Sequence, residues 1–194
     1  MLSGLKIGFA MTGSHCTIGE VLPVMKVLAG EGAAITPIFS ASVRDTDTRF
    51  GTAADLHREV VAVCGTEPLT TMVEVEPIGP RKLFDLVLVA PCTGNTLAKL
   101  ALGITDTSVS MACKAQLRNN RPVVIALSTN DGLGANARNL GTLLNKKNIY
   151  FVPFGQDTPK TKQTSLMAKM DLIPETIREA MNHRQLQPVL VTFQ

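Results

Sequence analysis

The sequence predicts an α/β fold: one Rossmann-like domain in which a parallel six-stranded sheet carries helices on both faces. Three observations lead to this prediction. Short apolar runs alternate with segments of helical periodicity, small polar residues follow most of those runs, and 194 residues are enough for one domain with a sizeable core. A content of 45% hydrophobic and 18% charged residues is ordinary for such a domain.

The first half of the chain predicts three strands and two helices. Apolar runs that suit buried strands are separated by segments in which apolar residues recur at helical spacing. In chain order we predict a strand at 5–11, a helix at 18–29, a strand at 34–39, a polar loop at 41–51, a helix at 52–63 and a short strand at 72–75.

The second half predicts three more strands. The run from Leu86 to Ala90 suits a buried strand, and we expect Pro91 to end it because proline cannot donate to a sheet. Asp106 or Thr107 is suited to cap a later helix. In chain order we predict a strand at 86–90, a helix resuming at 97, a helix ending near 118, a strand at 122–127, a helix at 135–146, a strand at 148–152 and a helix at 174–181.

No linker interrupts the chain, so we expect residues 1–194 to form a single domain. Residues 155–165 are polar and rich in turn-forming residues, which predicts a mobile loop or a lid. The C-terminal tail, residues 183–194, carries a short apolar stretch that either docks on the domain or adds an edge strand.

Composition argues against several functional classes. No apolar run is long enough to span a membrane and the first residues lack a signal-peptide pattern, so we expect a cytoplasmic protein. The four cysteines form no CxxC pair, which favours reduced thiols over disulfides, and we expect no metal site. A net charge of +3 and 4% aromatic residues argue against a nucleic-acid surface.

Four polar segments follow predicted strands, at residues 12–17, 40–49, 91–96 and 128–132. Parallel strands end at one edge of the sheet, and ligands of such folds bind at that edge. The sequence therefore predicts that these four segments crowd together around a ligand.

The turn after the first strand contains Gly13 and Ser14, which suit either a phosphate loop or a plain turn with a capping serine. Ser40 ends the second strand and is either a phosphate ligand or an ordinary loop serine. The turn is neither GxGxxG nor a Walker A loop, so a dinucleotide or nucleoside triphosphate is not indicated. His15 and Cys16 are neighbours on a helix, so their side chains diverge and do not predict a catalytic pair.

Arg44 and Arg49 lie in the second polar segment beside Asp45 and Asp47. Arginines at a ligand edge suit bidentate binding of a carboxylate, so both are candidate substrate ligands. The alternative is a local cluster of salt bridges.

The third segment gives the strongest local signal. Thr93, Asn95 and Thr96 offer hydroxyl and amide groups at a helix start directly after a buried strand, although a polar helix cap without a ligand has the same pattern. Ser128 and Asn130 form a similar, weaker group after a later strand.

The segment Ala-Pro-Cys-Thr-Gly-Asn-Thr-Leu-Ala-Lys at 90–99, with Gly-Ile-Thr-Asp at 103–106, resembles the APASANTIAK…GIAD pattern of the homo-oligomeric flavin-containing cysteine decarboxylase superfamily. The turn at 12–14 matches its first flavin phosphate loop. The resemblance implies an FMN pocket with Gly13, Ser14 and Ser40 at the phosphate. The ring would lie against Pro91, Thr93, Asn95 and Thr96, and the weaker polar group of Ser128 and Asn130 would complete the pocket.

The sequence also departs from that superfamily. Its decarboxylases use a His just before the fourth strand, where this chain has Pro77, and a Cys in a C-terminal flap, whereas no Cys follows Cys113 here. Their Pro-Ala-Met-Asn substrate motif is replaced by Ser-Thr-Asn-Asp at 128–131. We therefore predict that the chain does not decarboxylate peptidyl-cysteine substrates.

Further segments, at 45–51, 148–157 and 165–172, resemble one branch of this superfamily, the flavoprotein-like member of a two-subunit oxidoreductase of bacterial sporulation. The resemblance implies oxidation of dihydrodipicolinate to dipicolinate (pyridine-2,6-dicarboxylate) in the mother cell, together with a different polypeptide, the A subunit, which carries NADP. It also implies a homo-oligomer, a trimer or a multiple of it. The alternative is a non-catalytic partner that keeps the fold and anion pocket and stabilises or activates the A subunit.

Overall fold

The computed structural model describes residues 2–193. Within these residues a sheet of seven strands forms the centre of the molecule. The strands are β1 (Lys6–Met11), β2 (Ala34–Phe39), β3 (Leu86–Cys92), β4 (Val123–Thr129), β5 (Ile149–Phe151), β6 (Phe154–Gly155) and β7 (Leu166–Ala168).

Most of the sheet is parallel, which confirms the predicted α/β fold. Strands β2-β1-β3-β4-β5 pair in parallel in that order. The end of β4, at Ser128 and Thr129, then pairs antiparallel with β7, and β7 pairs antiparallel with β6. The hairpin of β6 and β7 occupies a segment whose first part the sequence predicts as loop, since two- and three-residue strands leave little periodicity to detect.

Helices cover both faces of this sheet. They are α1 (His15–Gly30), α2 (Ala41–Asp45), α3 (Ala53–Cys64), α4 (Met72–Val75), α5 (Ile78–Arg81), α6 (Gly94–Leu102), α7 (Ser108–Arg118), α8 (Ala137–Leu144) and α9 (Ile173–Met181). The chain crosses from β1 to β2 and from β3 to β4 in opposite directions along the sheet, so right-handed crossovers put α1 and α7 on opposite faces. Helix α9 packs beside α1, whereas α6 packs between α7 and α8. All seven residues of β3 are buried as a result.

The strand predicted at 72–75 is wrong, because Met72–Val75 is a single helical turn. Thr71 caps this turn by accepting a hydrogen bond from the Glu74 amide at 3.2 Å. The Glu74 carboxylate in turn accepts from the Thr71 amide at 2.9 Å. This reciprocal capping box has a Thr-x-x-Glu signature that outweighs the alternation of apolar residues.

The loop predicted at 41–51 begins with the short helix α2. Ser40 caps it, since its hydroxyl accepts a hydrogen bond from the Val43 amide at 3.4 Å. Val43 is fully buried, and one buried residue in five is too weak a pattern for a sequence-based helix prediction.

The C-terminal tail lies against the hairpin. The Phe154 amide donates to the Val189 carbonyl, and the Val191 amide donates to the Phe154 carbonyl, both at 3.0 Å. The Gln185 side chain accepts from the Phe151 amide at 2.8 Å and donates to the Phe151 carbonyl at 2.7 Å. Backbone groups at the ends of β5 and β6 are thereby paired without a full strand.

The opposite edge of the sheet is covered in a similar way. The Phe39 amide of β2 donates to the Leu69 carbonyl at 2.9 Å, and the Leu69 amide donates to the Pro37 carbonyl at 2.9 Å. Pro37 has no amide hydrogen of its own, as is usual for proline on an edge strand.

Candidate functional site

Side chains and backbone atoms of the four polar segments meet at one edge of the sheet, as the sequence predicts. Direct hydrogen bonds join the first segment to the fourth through Ser14 and Ser128, and to the third through Thr12 and Thr93. His15 and Ser42 join the first segment to the second, with their side chains 3.3 Å apart.

Three hydroxyls form a closed cluster at this edge, which we call the hydroxyl triangle: Ser14, Thr17 and Ser128. The Ser128 Oγ lies 2.8 Å from Ser14 Oγ and 2.8 Å from Thr17 Oγ1, and the other two oxygens are 3.2 Å apart. Thr17 and Ser128 are buried, whereas Ser14 is partly exposed. The triangle therefore presents the Ser14 hydroxyl to whatever binds at the start of α1.

Gly13 allows a close approach between the turn after β1 and the start of α2. A Cβ at this position would overlap Ser42 Oγ and lie 3.0 Å from Ser42 Cβ. Ser42 is exposed and was not predicted from the sequence, although its position two residues after Ser40 was an available signal.

The start of α1 differs from the starts of α2 and α6. Ser40 caps α2 with its own hydroxyl, and Thr93 caps α6 by accepting from the Thr96 amide at 3.3 Å. Ser14 stands at the same position of the 16-residue helix α1 but makes no side-chain capping bond. Among these three helices, α1 keeps the positive end of its dipole free of a side-chain cap.

The prediction that Pro91 ends its strand is wrong, because β3 continues to Cys92. The register between β3 and β4 shifts between Val89 and Cys92, where proline lacks the amide hydrogen of a regular ladder. Thr12, which is 1% exposed, bridges this irregular stretch. Its hydroxyl donates to the Pro91 carbonyl at 2.7 Å and accepts from the Thr93 amide at 2.9 Å.

A carboxylate lies beside the start of α6. Asp131 accepts from the Asn136 amide group at 2.8 and 3.0 Å and from the Thr129 hydroxyl. A Cβ on Gly94, the first residue of α6, would lie only 2.7 Å from Asp131 Oδ1. The positive end of the α6 dipole therefore already faces an anion of the chain itself.

The other predicted site residues contribute fewer of the hydrogen bonds that join the polar segments. Asn95 and Asn130 are exposed at the sheet edge, and the Asn130 carbonyl accepts from the Thr164 hydroxyl at 2.7 Å. Pro91 and Thr96 are buried. Asn95 is thus the most accessible polar side chain of the third segment.

The two candidate substrate arginines each contact the residue that follows them in the chain. Arg44 forms a bidentate ion pair with Asp45, with two N–O distances of 2.6 Å, and this hydrogen bonding lowers the pKa of the Asp45 carboxyl. Arg49 lies 4.8 Å above the Phe50 ring. Both guanidinium groups are on the surface. Arg44 therefore forms the local salt bridge that the sequence left open as the alternative to a substrate ligand.

A cleft of about 250 Å³ lies between the start of α1 and the segment that leads into α3. Its lining includes His15, Cys16 and Phe50, together with the acids Asp55 and Glu59, and it contains no Lys or Arg. Carboxylates of a substrate would find no cation in this lining.

The cysteines do not point to a reactive thiol in the core. Cys92 and Cys113 are buried; burial raises the pKa of the Cys92 thiol far above its ordinary value and that of Cys113 to about 12. Among residues 2–193, no group of three His, Cys, Asp or Glu is placed to hold a metal ion. None of the helices described is long and apolar enough to cross a membrane.

Comparison with known proteins identifies the family to which this chain belongs. The family model described as Flavoprotein matches residues 1–181. The chain belongs to the flavoprotein family. This agrees with the resemblance inferred from the motifs at 12–14 and 90–106.

Two relatives of this chain are similar over almost their whole length. The B subunit of dipicolinate synthase from Bacillus subtilis (strain 168) is 49% identical over 190 residues, which is 98% of this chain and 95% of the relative. The crystal structure of the dipicolinate synthase B subunit from Bacillus halodurans C superposes with a TM-score of 0.92 at 44% identity, covering 100% and 99% of the two chains. Within its family the chain therefore groups with the B subunits of dipicolinate synthase.

A more distant solved structure shares the fold. The FMN-dependent cysteine decarboxylase SpaF has a TM-score of 0.66 at 22% identity, with 94% of this chain and 98% of that one covered. At this identity the comparison shows a shared fold alone.

Three residues that shape this edge of the sheet were not predicted as site residues: Thr17, Ser42 and Asp131. Asp131 had a sequence signal, because it follows two polar residues at the exit of a buried strand. Thr17 belongs to the polar segment 12–17, but no local pattern singled it out there, because its bond to Ser128 joins residues 111 positions apart.

Proposed function

We propose that this chain binds FMN at the C-terminal edge of its sheet. In this proposal it acts with the A subunit of dipicolinate synthase in the oxidation of dihydrodipicolinate to dipicolinate. The names of its relatives and the family description support the proposal. The observation that carries the binding site is the uncapped start of α1, because it distinguishes one of three neighbouring helix starts as the place for a phosphate.

The phosphate belongs at α1 for two reasons. The α2 and α6 starts are capped by Ser40 and Thr93, whereas Ser14 leaves the α1 start without a side-chain cap. A phosphate at α6 would also face the Asp131 carboxylate, and like charges in close proximity repel each other. Backbone amides and a dipole at a long helix start favour a bound anion.

The residues present fit an FMN phosphate group. Gly13 brings the backbone of the turn close to Ser42, and the hydroxyls of Ser14 and Ser42 are accessible beside the same helix start. Ser40 lies in the adjacent cap and would exchange its bond with the Val43 amide for one with the ligand. These groups are neutral donors, so the helix dipole is the main source of positive potential in this site.

The ring side of the proposed pocket is the start of α6. Thr93 and Asn95 would face the ring, with Pro91 and Thr96 supporting them from the buried side. When bound, a flavin supplies a hydride acceptor, so the oxidation needs no nucleophile from the protein. The chain would orient the ring and exclude water from one side of it, and Arg44 or Arg49 would bind a substrate carboxylate after leaving its present contact.

The first experiment is a binding measurement on the purified chain. We expect a yellow protein, or a colourless one that quenches the fluorescence of added FMN with a saturable curve. Asn95→Ala should weaken this binding, whereas Asn145→Ala, a matched change of an exposed asparagine at the end of α8, should not. A colourless protein that does not bind added FMN would refute the cofactor proposal.

A non-catalytic role is the second candidate, and one observation favours it. Several polar groups of the pocket already have partners within the chain, including Ser40, Arg44 and Asp131. A protein that only stabilised the A subunit would keep such an internally satisfied edge. Dipicolinate formation by the A subunit mixed with Asn95→Ala protein separates the two roles: full activity supports the structural role, and loss of activity supports FMN-dependent oxidation.

Other features of the proposal stay predictions. They are NADP on the A subunit, a homo-oligomer based on trimers, a cytoplasmic location in the mother cell and a single domain over residues 1–194. Mass photometry of the purified chain would test the homo-oligomer, and mass photometry of its mixture with the A subunit would test the proposed complex.

A further inference from the structure

We propose that Thr17 is a positioning residue for the phosphate group of the bound flavin nucleotide. It would act through Ser128 on the hydroxyl of Ser14. The inference rests on the proposed function, because it concerns how that site distinguishes a phosphorylated flavin from an unphosphorylated one.

Thr17 cannot bind the ligand itself. It is 2% exposed and lies in the first turn of α1, behind the partly exposed Ser14. Its hydroxyl is 2.8 Å from Ser128 Oγ, and that atom is 2.8 Å from Ser14 Oγ. A path of two short hydrogen bonds therefore leads from a buried side chain to the hydroxyl at the proposed phosphate site.

The number of hydrogens decides what this path does. Each hydroxyl has one proton to donate and two lone pairs that accept. If Ser14 donates to Ser128, its proton is used inside the protein and is lost to the ligand. If Ser128 donates to Ser14, the Ser14 proton can point either at Thr17 Oγ1, 3.2 Å away, or at a phosphate oxygen, and the anionic phosphate is the stronger acceptor.

Thr17 selects the second arrangement. If Thr17 and Ser14 both donated to Ser128, its two lone pairs would be filled but its buried proton would have no acceptor in the triangle. With Thr17 donating, the Ser128 proton gains a partner by turning toward Ser14. Successive hydrogen bonds in one direction also polarise one another, which strengthens the last donor. The exposed Cys16 thiol lies 3.7 Å from Thr17 Oγ1 and 3.9 Å from Ser14 Oγ, but a thiol is a weak donor and does not reverse this direction.

The test compares FMN with riboflavin, which has the same ring and no phosphate. Dissociation constants for both are measured by fluorescence titration of the full chain. Thr17→Val should raise the Kd for FMN about three- to tenfold, the size of one net hydrogen bond, and leave the Kd for riboflavin unchanged. Thr17→Ser, which keeps the hydroxyl, should restore FMN binding.

Two further variants keep the test decisive. Ser128→Ala breaks the path at its second member and should reproduce the loss for FMN, so it replaces Thr17→Val if that variant does not fold. Thr176→Val is the matched control, because Thr176 is a buried threonine whose hydroxyl donates locally, to the carbonyl of Leu172 just before α9, at 2.8 Å.

The outcomes separate this inference from the proposal beneath it. A selective loss for FMN in both site variants supports the inference. Wild-type FMN affinity in both variants, or equal losses for FMN and riboflavin, overturns it while flavin binding stands. A wild-type chain that binds neither compound overturns both the flavin proposal and this inference.

Discussion

Replacing Thr12 with valine should measurably destabilise the fold, because one buried hydroxyl bridges the irregular end of β3. Valine keeps the shape of threonine, so packing around this 1% exposed side chain changes little. The hydrogen bonds to the Pro91 carbonyl, at 2.7 Å, and from the Thr93 amide, at 2.9 Å, are both lost. The change therefore isolates two hydrogen bonds.

The expected magnitude follows from these two bonds. Each contributes about 1 kcal/mol net, and leaving a buried carbonyl unpaired costs about 1 kcal/mol more, so Thr12→Val should lower the free energy of unfolding by about 2–4 kcal/mol. For a chain of this length that corresponds to a fall in Tm of about 4–16 °C. Thr12→Ser keeps the hydroxyl and loses one methyl group, which should cost only about 1 kcal/mol.

The assay is urea unfolding followed by far-UV circular dichroism, since the chain has no Trp and one Tyr. All proteins are compared at one concentration, because any self-association would make stability depend on it. Equal destabilisation by valine and serine, or a loss below about 1 kcal/mol for valine, would show that the Thr12 hydroxyl does not stabilise the irregular end of β3.

Three other predictions concern different parts of the molecule. Gly94→Ala should destabilise the protein by about 1–3 kcal/mol, because the new Cβ would lie 2.5–2.7 Å from polar side-chain atoms. Gly141→Ala, in the open interior of α8, should instead stabilise it by about 0.5–1 kcal/mol. Urea unfolding measures both changes. Burial tends to raise the pKa of Asp157, but hydrogen bonds from neighbouring hydroxyls outweigh burial and lower this pKa. The ionised carboxylate should therefore stabilise the fold above the ordinary pKa of 3.8, and this stability should be lost as the pH falls below that value. Hydrogen-exchange protection of residues 156–165, which should drop in that range, measures this, and an unchanged profile in Asp157→Asn would contradict it. Iodoacetamide at mildly alkaline pH should label exposed Cys16 in the native protein and buried Cys92 only after unfolding, as peptide mass spectrometry will show.

The strands of the parallel sheet were predictable because their apolar runs are buried on both faces. Residues 34–39 have the predicted bounds, and β1 and β5 differ from prediction by one or two residues. The turn at 72–75 was mispredicted because two apolar residues around Glu74 match a strand as well as a helix. Its Thr-x-x-Glu capping signature was present in the sequence and was the better guide.

The site was predictable at the level of loops and not of contacts. Parallel topology alone brings the four polar segments to one edge, so Ser14 and Ser128 were both chosen from sequence. The continuation of β3 through Pro91 depends on Thr12, 79 positions earlier, and no local pattern reports a bond of that separation. The internal pairing of Asp131 with Asn136 likewise needs the geometry of the loop after β4.

The bonds of Leu69 to β2 and of the tail to β5 and β6 limit how copies of this chain can associate. An uncovered sheet edge is a template for adding a strand from another molecule. Here Leu69 occupies the hydrogen-bonding groups at the end of β2, while Gln185 and Val189–Val191 occupy those at the other side. Another strand could pair with these backbone groups only by displacing the segments that already occupy them.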